Sequence, residues 1–302
     1  MKNKIISSID IGTNSITLLI VELSNFGMLT LIEKEFITSL GEGLSTNKSI
    51  KKKTIDRCLK YLLACKNIIK KYNVEVEFCV ATSALRQAKN KTKIINKIND
   101  INIYPKIISG DEEARLIGTV VKREFPKLCK NALIIDIGGG STELIHFKNY
   151  KIEYKKSFEI GSVTLYEKFF EDPISQSNIN SCLKYINYKF DNISIKSKID
   201  YLIGVGGTIT SLSAIYNNII PYDKRIIHKS KISSDVFLVL DEKLLNNSVL
   251  DRIKIPILEY KRALVIPAGY LIFSFLFRKF LLNEVYVCEK GLKWGVILDQ
   301  LS

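Results

Sequence analysis

Runs of apolar residues divide the chain into a repeating series of strands and helices. Residues 5–23 form two apolar runs separated by a turn at Gly12, a pattern that predicts a β-hairpin. Residues 132–146 repeat this pattern around Gly138. The shared residues are Asp10, Ile11, Gly12, Ser15 and Leu18 in the first hairpin and Asp136, Ile137, Gly138, Ser141 and Leu144 in the second. The chain is therefore predicted to contain a duplicated unit.

Alternating strands and helices follow each hairpin. The first half continues with a helix at about 50–72, strands at 74–80 and 105–108, and helices that begin near 81–86 and 109–115. The second half continues with a helix at about 178–190 and a strand at 201–208 that runs into a helix. This alternation predicts an α/β fold of two similar units with a cleft between them, lined by the glycine turns of both.

The boundary between the two units is expected near Phe125–Lys130, where Pro126 interrupts a helix. We predict a first domain over 1–126, completed by a last helix at 291–302, and a second domain over 127–290. The apolar stretch Ala263–Phe277 is short for a membrane span and contains Pro267 and Gly269. It is predicted to form a turn followed by a buried helix.

Composition narrows the class of partner without choosing one. A chain of 302 residues with 46% hydrophobic and 25% charged residues is typical of a globular protein. A net charge of +14 favours anionic partners such as polyphosphate, nucleotides or nucleic acid, although surface lysines explain the same number. No base-reading or base-stacking motif is recognisable, so specific nucleic-acid binding is not expected. Scattered cysteines and an acid at position 10 favour a cytoplasmic protein without a membrane partner.

Three glycine-rich turns are candidates for phosphate binding: Gly12–Ser15, Gly138–Ser141 and Gly204–Thr208. Without a Cβ, glycine lets the backbone approach a phosphate and direct several N–H groups at its oxygens. One such turn by itself is more often a structural hairpin turn. Three of them, two with matching strands and acids, indicate a phosphate site.

Carboxylates are the candidate metal ligands and proton acceptors. Asp10, Asp136 and Glu143 supply the hard oxygen ligands that magnesium prefers, although either aspartate also fits an Asx turn. With only two histidines, the sequence offers little for a zinc cluster or a Ser-His-Asp triad, so general-base work falls to a carboxylate. No P-loop motif is present.

Two further segments carry candidate residues. Thr82, Ser83 and Arg86 lie at a strand-to-helix junction, where a helix N-terminus and a guanidinium can hold a phosphate. Glu112 and Glu113 begin the next helix, and either is a candidate base. Their position alone favours the ordinary role of acids that complement a helix dipole.

Five motifs follow one another along the chain: Asp10–Ser15, Ala81–Arg86, Ile108–Ile117, Ile135–Glu143 and Gly204–Thr208. In order and spacing they resemble the Ppx/GppA exopolyphosphatase and guanosine pentaphosphate phosphohydrolase family. Weaker echoes at Arg262–Gly269 and Gly291–Gly295 extend the resemblance over nearly the whole chain. The resemblance implies duplicated actin-like, sugar-kinase-like ATPase domains of the ribonuclease H-like class with an interdomain cleft, in the short two-domain form of the family.

The resemblance also implies roles for individual residues. Glu113 matches the catalytic base, and Asp136 and Glu143 match residues assigned to Mg²⁺ (or Mn²⁺) and catalysis, with Asp10 added as a further metal ligand. The expected phosphate-binding residues are Thr13, Asn14, Ser15, Arg86, Gly138, Gly139, Gly140, Ser141, Gly206, Gly207 and Thr208. The chain departs from the family pattern at Ser39 and Thr164, where arginine is common, and at Leu264 and Trp294, where acids are common.

The implied activity is magnesium-dependent hydrolysis of the terminal phosphoanhydride bond of inorganic polyphosphate. Hydrolysis of guanosine pentaphosphate to the tetraphosphate, a step of the stringent response, uses the same chemistry and stays open. A regulator that binds either ligand without turnover is a second alternative, and a kinase suggested by fold analogy is a third. A homodimer is a family-based expectation.

Overall fold

The computed structural model describes residues 4–25 and 27–301, which form two compact units. The first unit comprises Met1–Thr119 with Leu292–Ser302, and the second comprises Val120–Gly291. Residues 1–3 and 26 of the predicted first domain and residue 302 of the predicted last helix lie outside the described residues. Each unit is built on one β-sheet.

The first sheet has the strand order β3-β2-β1-β4-β5. Its strands are β1 Lys4–Ile11, β2 Ser15–Ser24, β3 Gly27–Ile37, β4 Val76–Ala81 and β5 Lys106–Ile107. The first three strands are antiparallel, whereas β4 runs parallel to β1 and β5 parallel to β4. The helices of this half are α1 Leu44–Asn47, α2 Lys52–Lys71, α3 Ser83–Gln87, α4 Lys91–Asn99 and α5 Gly110–Glu124.

The second sheet has the order β10-β11-β9-β6-β7-β8. Its strands are β6 Asn131–Ile137, β7 Thr142–Lys148, β8 Lys151–Phe158, β9 Tyr201–Val205, β10 Lys231–Ser233 and β11 Glu284–Cys288. The remaining helices are α6 Ser162–Phe169, α7 Gln176–Lys189, α8 Gly206–Tyr216, α9 Lys224–Ile227, α10 Val236–Leu240, α11 Val249–Arg252, α12 Tyr260–Lys279 and α13 Leu292–Asp299. A 3₁₀ turn at Leu128–Lys130 and a π-helical turn at Asp241–Leu245 complete the described chain.

The two sheets share one topology. In each, three antiparallel strands joined by short turns are followed by two parallel strands, so that β1, β4 and β5 correspond to β6, β9 and β11. β10 adds an antiparallel edge strand to the second sheet only. The predicted α/β class with two related units and the predicted pair of glycine-turn hairpins are confirmed.

Apolar periodicity explains how the helices pack in each unit. Ile55, Leu62 and Ile69 recur at helical spacing on α2 and are buried in the core of the first unit. The last helix, α13, packs on β1 in the same unit, where the Ser8 hydroxyl donates to the Lys293 carbonyl at 2.7 Å. Arg115 on α5 fixes the far end of α13 through a bidentate ion pair with Asp299 at 2.7 and 2.8 Å.

The predicted turn before the buried apolar helix is wrong. α12 is one continuous helix that starts at Tyr260 and carries Pro267 in its interior. Proline has no N–H, so the Ala263 carbonyl four residues earlier loses its helical partner. The Arg252 Nε supplies the missing donor at 2.8 Å. This substitution of a side-chain donor for a backbone donor explains why the helix passes through the proline.

Arg252 is fully buried and well supplied with acceptors. Its guanidinium also donates to the Leu244 carbonyl at 3.0 Å, to the Asn247 carbonyl at 2.6 Å and to the Asp172 carboxylate at 3.0 Å. Among the described residues, α12 is the one helix that is both long enough and apolar enough to cross a membrane, with a mean hydropathy of 1.3. However, 67% of that window is buried, and the helix forms part of the core of the second unit.

Arg252→Met should therefore destabilise the second unit strongly. The Ala263, Leu244 and Asn247 carbonyls lose their guanidinium donors, and each buried acceptor left unsatisfied costs about 1–3 kcal/mol. Urea unfolding followed by circular dichroism measures the loss. Adding Pro267→Ala to Arg252→Met restores a backbone N–H for the Ala263 carbonyl. The double variant should therefore recover part of the stability that Arg252→Met loses. Equal stability of Arg252→Met and wild type would contradict this account of the helix.

Candidate active site

The glycine turn between β6 and β7 is shaped by hydrogen bonds on both of its sides. The Gly138 N–H donates to the Ser141 carbonyl at 3.0 Å and closes the turn. From the other side, the start of α6 donates to the turn: the Ser162 N–H to the Gly138 carbonyl at 3.0 Å, and the Val163 N–H to the Gly139 carbonyl at 2.8 Å. The turn carbonyls therefore face α6.

This orientation exposes a pair of donors on the opposite side of the turn. In a trans peptide the N–H points away from the C=O, so the Gly139 and Gly140 N–H groups point away from α6. Among the described residues, no group accepts a hydrogen bond from either of them. Successive N–H groups directed to one side are the kind of arrangement that can bind an anion, and we call this candidate site, the Gly139 and Gly140 N–H pair, the phosphate nest.

The turn between β1 and β2 has the same closing hydrogen bond. The Gly12 N–H donates to the Ser15 carbonyl at 2.9 Å. The segment 38–41 holds this turn from behind: the Ser39 N–H donates to the Asn14 carbonyl at 2.8 Å, and the Gly41 N–H to the Thr13 carbonyl at 2.9 Å. The Asn14 N–H, in the same peptide as the Thr13 carbonyl, therefore points away from the segment.

Two side chains of this first region have particular environments. Thr13 is 5% exposed, and its hydroxyl has no hydrogen-bond partner among the residues that the structure describes. Ser39, a site of departure from the family pattern, has a left-handed backbone with φ of 49°. That conformation is unfavourable for a residue with a Cβ and lies directly behind the glycine turn.

The third glycine turn is the start of α8. Gly206 has φ of 83°, and no side chain of the described residues caps this helix end, so its first-turn N–H groups can donate to an anion. A Cβ on Gly206 would lie 2.3 Å from the Asp136 Oδ1, so the carboxylate lies directly against this glycine. Arg262 of α12 contacts the first turn of α8. Its Nη1 donates to the Gly207 carbonyl at 3.3 Å and to the Ser211 hydroxyl at 3.1 Å.

Two carboxylates lie side by side on the second sheet. Asp136 on β6 is directly opposite Glu143 on β7, so both side chains are on one face. Glu143 is opposite Ser157 on β8, whose hydroxyl donates to the Glu143 Oε1 at 2.6 Å. In the first sheet Asp10 lies opposite Thr17 rather than an acid. Within residues 4–25 and 27–301, no group of three or more His, Cys, Asp or Glu side chains is arranged to hold a metal.

In the first unit, the buried Glu113 forms an ion pair with the partly buried Arg86. The Arg86 Nη1 donates to the Glu113 Oε2 at 3.1 Å and to the Ile108 carbonyl at 3.0 Å. The Arg86 Nε and Nη2 donate to no group in the described part of the chain, which leaves one edge of the guanidinium for an anion. Glu113 is only 8% exposed.

Burial separates Glu113 from its neighbour Glu112 in chemistry. Desolvation raises the pKa of Glu113 above its ordinary value, and the positive charge of Arg86 opposes part of that shift. The pKa of Glu112 is lowered instead, chiefly by hydrogen bonds from Arg115. Of the two acids that the sequence left as candidate bases, only Glu113 has the dry environment that brings a carboxylate pKa towards neutral pH.

The structure thus brings the candidate residues into two groups. Arg86 and Glu113 meet in the first unit, and the phosphate nest, Asp136, Glu143 and the start of α8 meet in the second. Sequence reasoning missed Arg262 and Ser157. The weak match to the family pattern at Arg262–Gly269 was a usable signal for Arg262. Nothing in the sequence of β8 revealed that Ser157 lies opposite Glu143.

Two of the remaining departures lie at apolar positions. Leu264 on α12 packs against the core of the second unit, and Trp294 on α13 is 6% exposed. Side chains at these places contribute to packing. The third, Thr164, belongs to the start of α6, where its N–H donates to the Gly139 carbonyl at 3.2 Å.

Comparison with curated relatives extends over nearly the whole chain. A bifunctional 3-dehydroquinate synthase/phosphatase of Fusobacterium nucleatum is 34% identical, over 97% of this chain and 46% of its own length. A putative exopolyphosphatase of Haemophilus influenzae is 27% identical, over 97% of this chain and 90% of its own. A guanosine-5'-triphosphate,3'-diphosphate pyrophosphatase of Vibrio vulnificus is 26% identical, over 98% and 59%. The chain spans about half the length of the Fusobacterium relative.

Solved structures share the fold. An exopolyphosphatase of Cytophaga hutchinsonii superposes with a TM-score of 0.92 at 28% identity, covering 99% of this chain and 98% of that one. A Ppx/GppA family member of Aquifex aeolicus gives a TM-score of 0.81 at 28% identity, with the same coverage. The model of the Ppx/GppA phosphatase family matches residues 19–302. The chain therefore belongs to the Ppx/GppA phosphatase family.

Proposed function

We propose that this chain hydrolyses the terminal phosphoanhydride bond of inorganic polyphosphate and releases orthophosphate. The observation that carries the proposal is the buried Glu113, held by Arg86 and raised in pKa as a general base requires. The phosphate nest of the second unit supports the proposal, because its two N–H groups suit an anion. The exopolyphosphatase names of two similar proteins support the choice of substrate.

In the proposed reaction, the Glu113 carboxylate accepts a proton from the attacking water. The water oxygen forms a bond to the terminal phosphorus, and the bond from that phosphorus to the bridging oxygen breaks. The shortened chain keeps the electron pair of the broken bond, and orthophosphate leaves. Little covalent work falls to the protein in such a transfer, so positioning and charge stabilisation account for most of the catalysis.

Several donors suit the transferred phosphate. The Gly139 and Gly140 N–H groups, the first-turn N–H groups of α8 and the open edge of Arg86 are each proposed to bind its oxygens. Thr13, Asn14 and Ser15 of the first glycine turn are proposed to contact the same polyanion. Backbone donors are well suited to this role because they are fixed before the ligand arrives.

The residues of the second sheet fit a divalent cation. Asp136 and Glu143 present hard oxygen donors side by side, and Mg²⁺ is commonly held by one or two carboxylates together with waters and substrate phosphates. We propose Mg²⁺ (or Mn²⁺) at this pair, with Asp10 as a further ligand. When bound, the cation neutralises charge on the phosphoryl oxygens. Ser157 keeps the Glu143 carboxylate oriented through its hydrogen bond.

Guanosine pentaphosphate is the second candidate substrate. The name of the Vibrio relative supports it, and the chemistry at the terminal phosphate is the same. Parallel assays of orthophosphate release from long polyphosphate and from guanosine pentaphosphate, with magnesium, separate the two. Tight binding without release would favour a regulator, and ADP formed with a phosphorylated acceptor would favour a kinase.

We further propose a cytoplasmic protein. Its cysteines, Cys58, Cys65, Cys79, Cys129, Cys182 and Cys288, are all free thiols, as a reducing compartment favours. A homodimer stays a proposal from the family resemblance.

Glu113→Gln should lower turnover by about 10²- to 10⁴-fold while substrate binding is kept, because the amide cannot accept the proton. Steady-state orthophosphate release measures the effect. Glu112→Gln is the matched control, since Glu112 lies on the same helix turn but pairs with Arg115, and it should retain activity. Full activity of Glu113→Gln would remove Glu113 from the role of base.

The pH profile tests the proton-accepting role independently. Because Glu113 must be deprotonated to act, the acid limb of kcat/KM should rise with pH through its pKa, above the ordinary glutamate value of about 4.3. Arg86 lowers the pKa of Glu113, so Arg86→Met should move this limb to higher pH. Arg115→Met, beside Glu112, should leave its position unchanged. An unmoved limb in Arg86→Met would mean that the limb reports another group.

Gly206→Ala should impair activity through Asp136. The new Cβ would be placed 2.3 Å from the Asp136 Oδ1, at a backbone φ of 83° that disfavours alanine. The carboxylate must move, and the magnesium concentration for half-maximal rate should increase. Gly291→Ala is the control, because its Cβ would meet nothing nearer than 3.8 Å. An unchanged magnesium requirement in Gly206→Ala would argue against Asp136 as a ligand.

A further inference from the structure

We propose that the start of α6, through Gly161 and Thr164, presets the phosphate nest, and that Thr164 is a positioning residue for phosphate binding. The inference rests on the proposed function for its ligand, a terminal phosphate. It assigns roles to two residues that do not themselves contact the phosphate in this account.

Gly161 is required by space rather than by backbone conformation. Its φ of −150° and ψ of 177° are extended, which any residue adopts. A Cβ at this position would lie 2.5 Å from the Gly139 carbonyl carbon and 2.6 Å from the Gly140 nitrogen. Real Cβ atoms do not approach backbone atoms so closely, so any side chain at Gly161 would displace the nest itself.

Thr164 fixes the position of Gly161. Its hydroxyl accepts a hydrogen bond from the Gly161 N–H at 2.9 Å and donates to the Gly161 carbonyl at 3.0 Å. Its own N–H donates to the Gly139 carbonyl at 3.2 Å. Thr164 therefore holds Gly161, whose missing Cβ lets α6 approach the turn. It also holds the peptide between Gly139 and Gly140, whose N–H belongs to the phosphate nest.

The hydrogen bonds from α6 to the glycine turn also make the phosphate nest more favourable for an anion electrostatically. The α6 amides donate to the Gly138 and Gly139 carbonyls, and the N–H groups of those same peptides point to the ligand side. Hydrogen bonds in such chains polarise one another and are strengthened cooperatively. The positive end of the α6 dipole lies directly behind the nest and favours an anion there.

The arrangement is particular to the second unit. Among the described residues, the corresponding turn of the first unit is held by the non-helical loop segment 38–41 rather than by a helix start. Thr164 also departs from the family pattern, in which arginine is common at this position. In this chain the Thr164 side chain caps α6 and positions the glycine turn. In this account, the donors to phosphate at the turn are therefore backbone N–H groups.

Thr164→Val tests the inference, because valine keeps the shape and removes the hydroxyl. Isothermal titration with pyrophosphate and magnesium should show binding weakened about tenfold, which corresponds to about 1.4 kcal/mol. Thr164→Ser, which keeps the hydroxyl, should bind pyrophosphate with an affinity within about twofold of that of the wild-type protein. Thr119→Val, which removes another helical hydroxyl hydrogen-bonded to backbone, should bind as wild type.

Thermal unfolding of each variant separates positioning from general stability. A merely structural role predicts lower stability of Thr164→Val with unchanged pyrophosphate affinity, and that result would overturn the inference. Binding by Thr164→Ser as weak as that of Thr164→Val would also overturn it. Gly161→Ala supplies a second variant, expected to lose affinity more strongly because its Cβ enters the nest; wild-type affinity there would contradict the argument from space.

Failure of the proposed function is distinguishable in the same experiment, because pyrophosphate binding needs no turnover. Wild-type protein that binds pyrophosphate in the nest but releases no orthophosphate refutes the hydrolase proposal and leaves the positioning inference supported. Active wild-type protein with full pyrophosphate affinity in Thr164→Val refutes the inference alone. Absence of pyrophosphate binding by the wild-type protein refutes the inference as well.

Discussion

The backbone contact between the start of α6 and the Gly138–Ser141 turn is the constraint on which the candidate site depends. The Gly138 and Gly139 carbonyls accept hydrogen bonds from α6, and together with the closing Gly138-to-Ser141 hydrogen bond this directs the Gly139 and Gly140 N–H groups away from α6. The contact is possible because Gly161 has no Cβ. A turn of three glycines would otherwise be conformationally free, and ordering it on binding would cost free energy. Packing of a helix behind the turn supplies that order in advance.

The support for this contact reaches into the core through α12. A Cβ on Gly269 of α12 would lie 2.7 Å from the Thr208 side chain of α8 and 3.2 Å from the Ser162 Cβ of α6, so this glycine lets the starts of both helices pack on α12. Pro267 lies two residues earlier in the same helix and is accommodated because Arg252 satisfies the Ala263 carbonyl. The features of α12 that looked like helix breakers in the sequence thus belong to the scaffold of the glycine turns.

Sequence patterns predicted the features that depend on local periodicity and on short motifs. The two hairpins, the glycine turns and the acid pair at Asp136 and Glu143 could be placed because a turn and its flanking strands are contiguous. The role of Pro267 was mispredicted because the donor that compensates it, Arg252, lies fifteen residues earlier and is buried by tertiary packing. Ser157 was missed because the register of β8 on β7 depends on the whole sheet. The distinction between Glu112 and Glu113 required knowing which acid is buried.

The central claim is that water attacks a terminal phosphorus and that one orthophosphate is released for each bond broken. Hydrolysis of polyphosphate in water enriched in oxygen-18, followed by mass spectrometry of the products, tests this claim most directly. The account predicts one oxygen-18 atom in each newly released orthophosphate and none at the ends of the shortened chains. Label at the chain ends, or loss of terminal phosphate to an acceptor without label in orthophosphate, would contradict it.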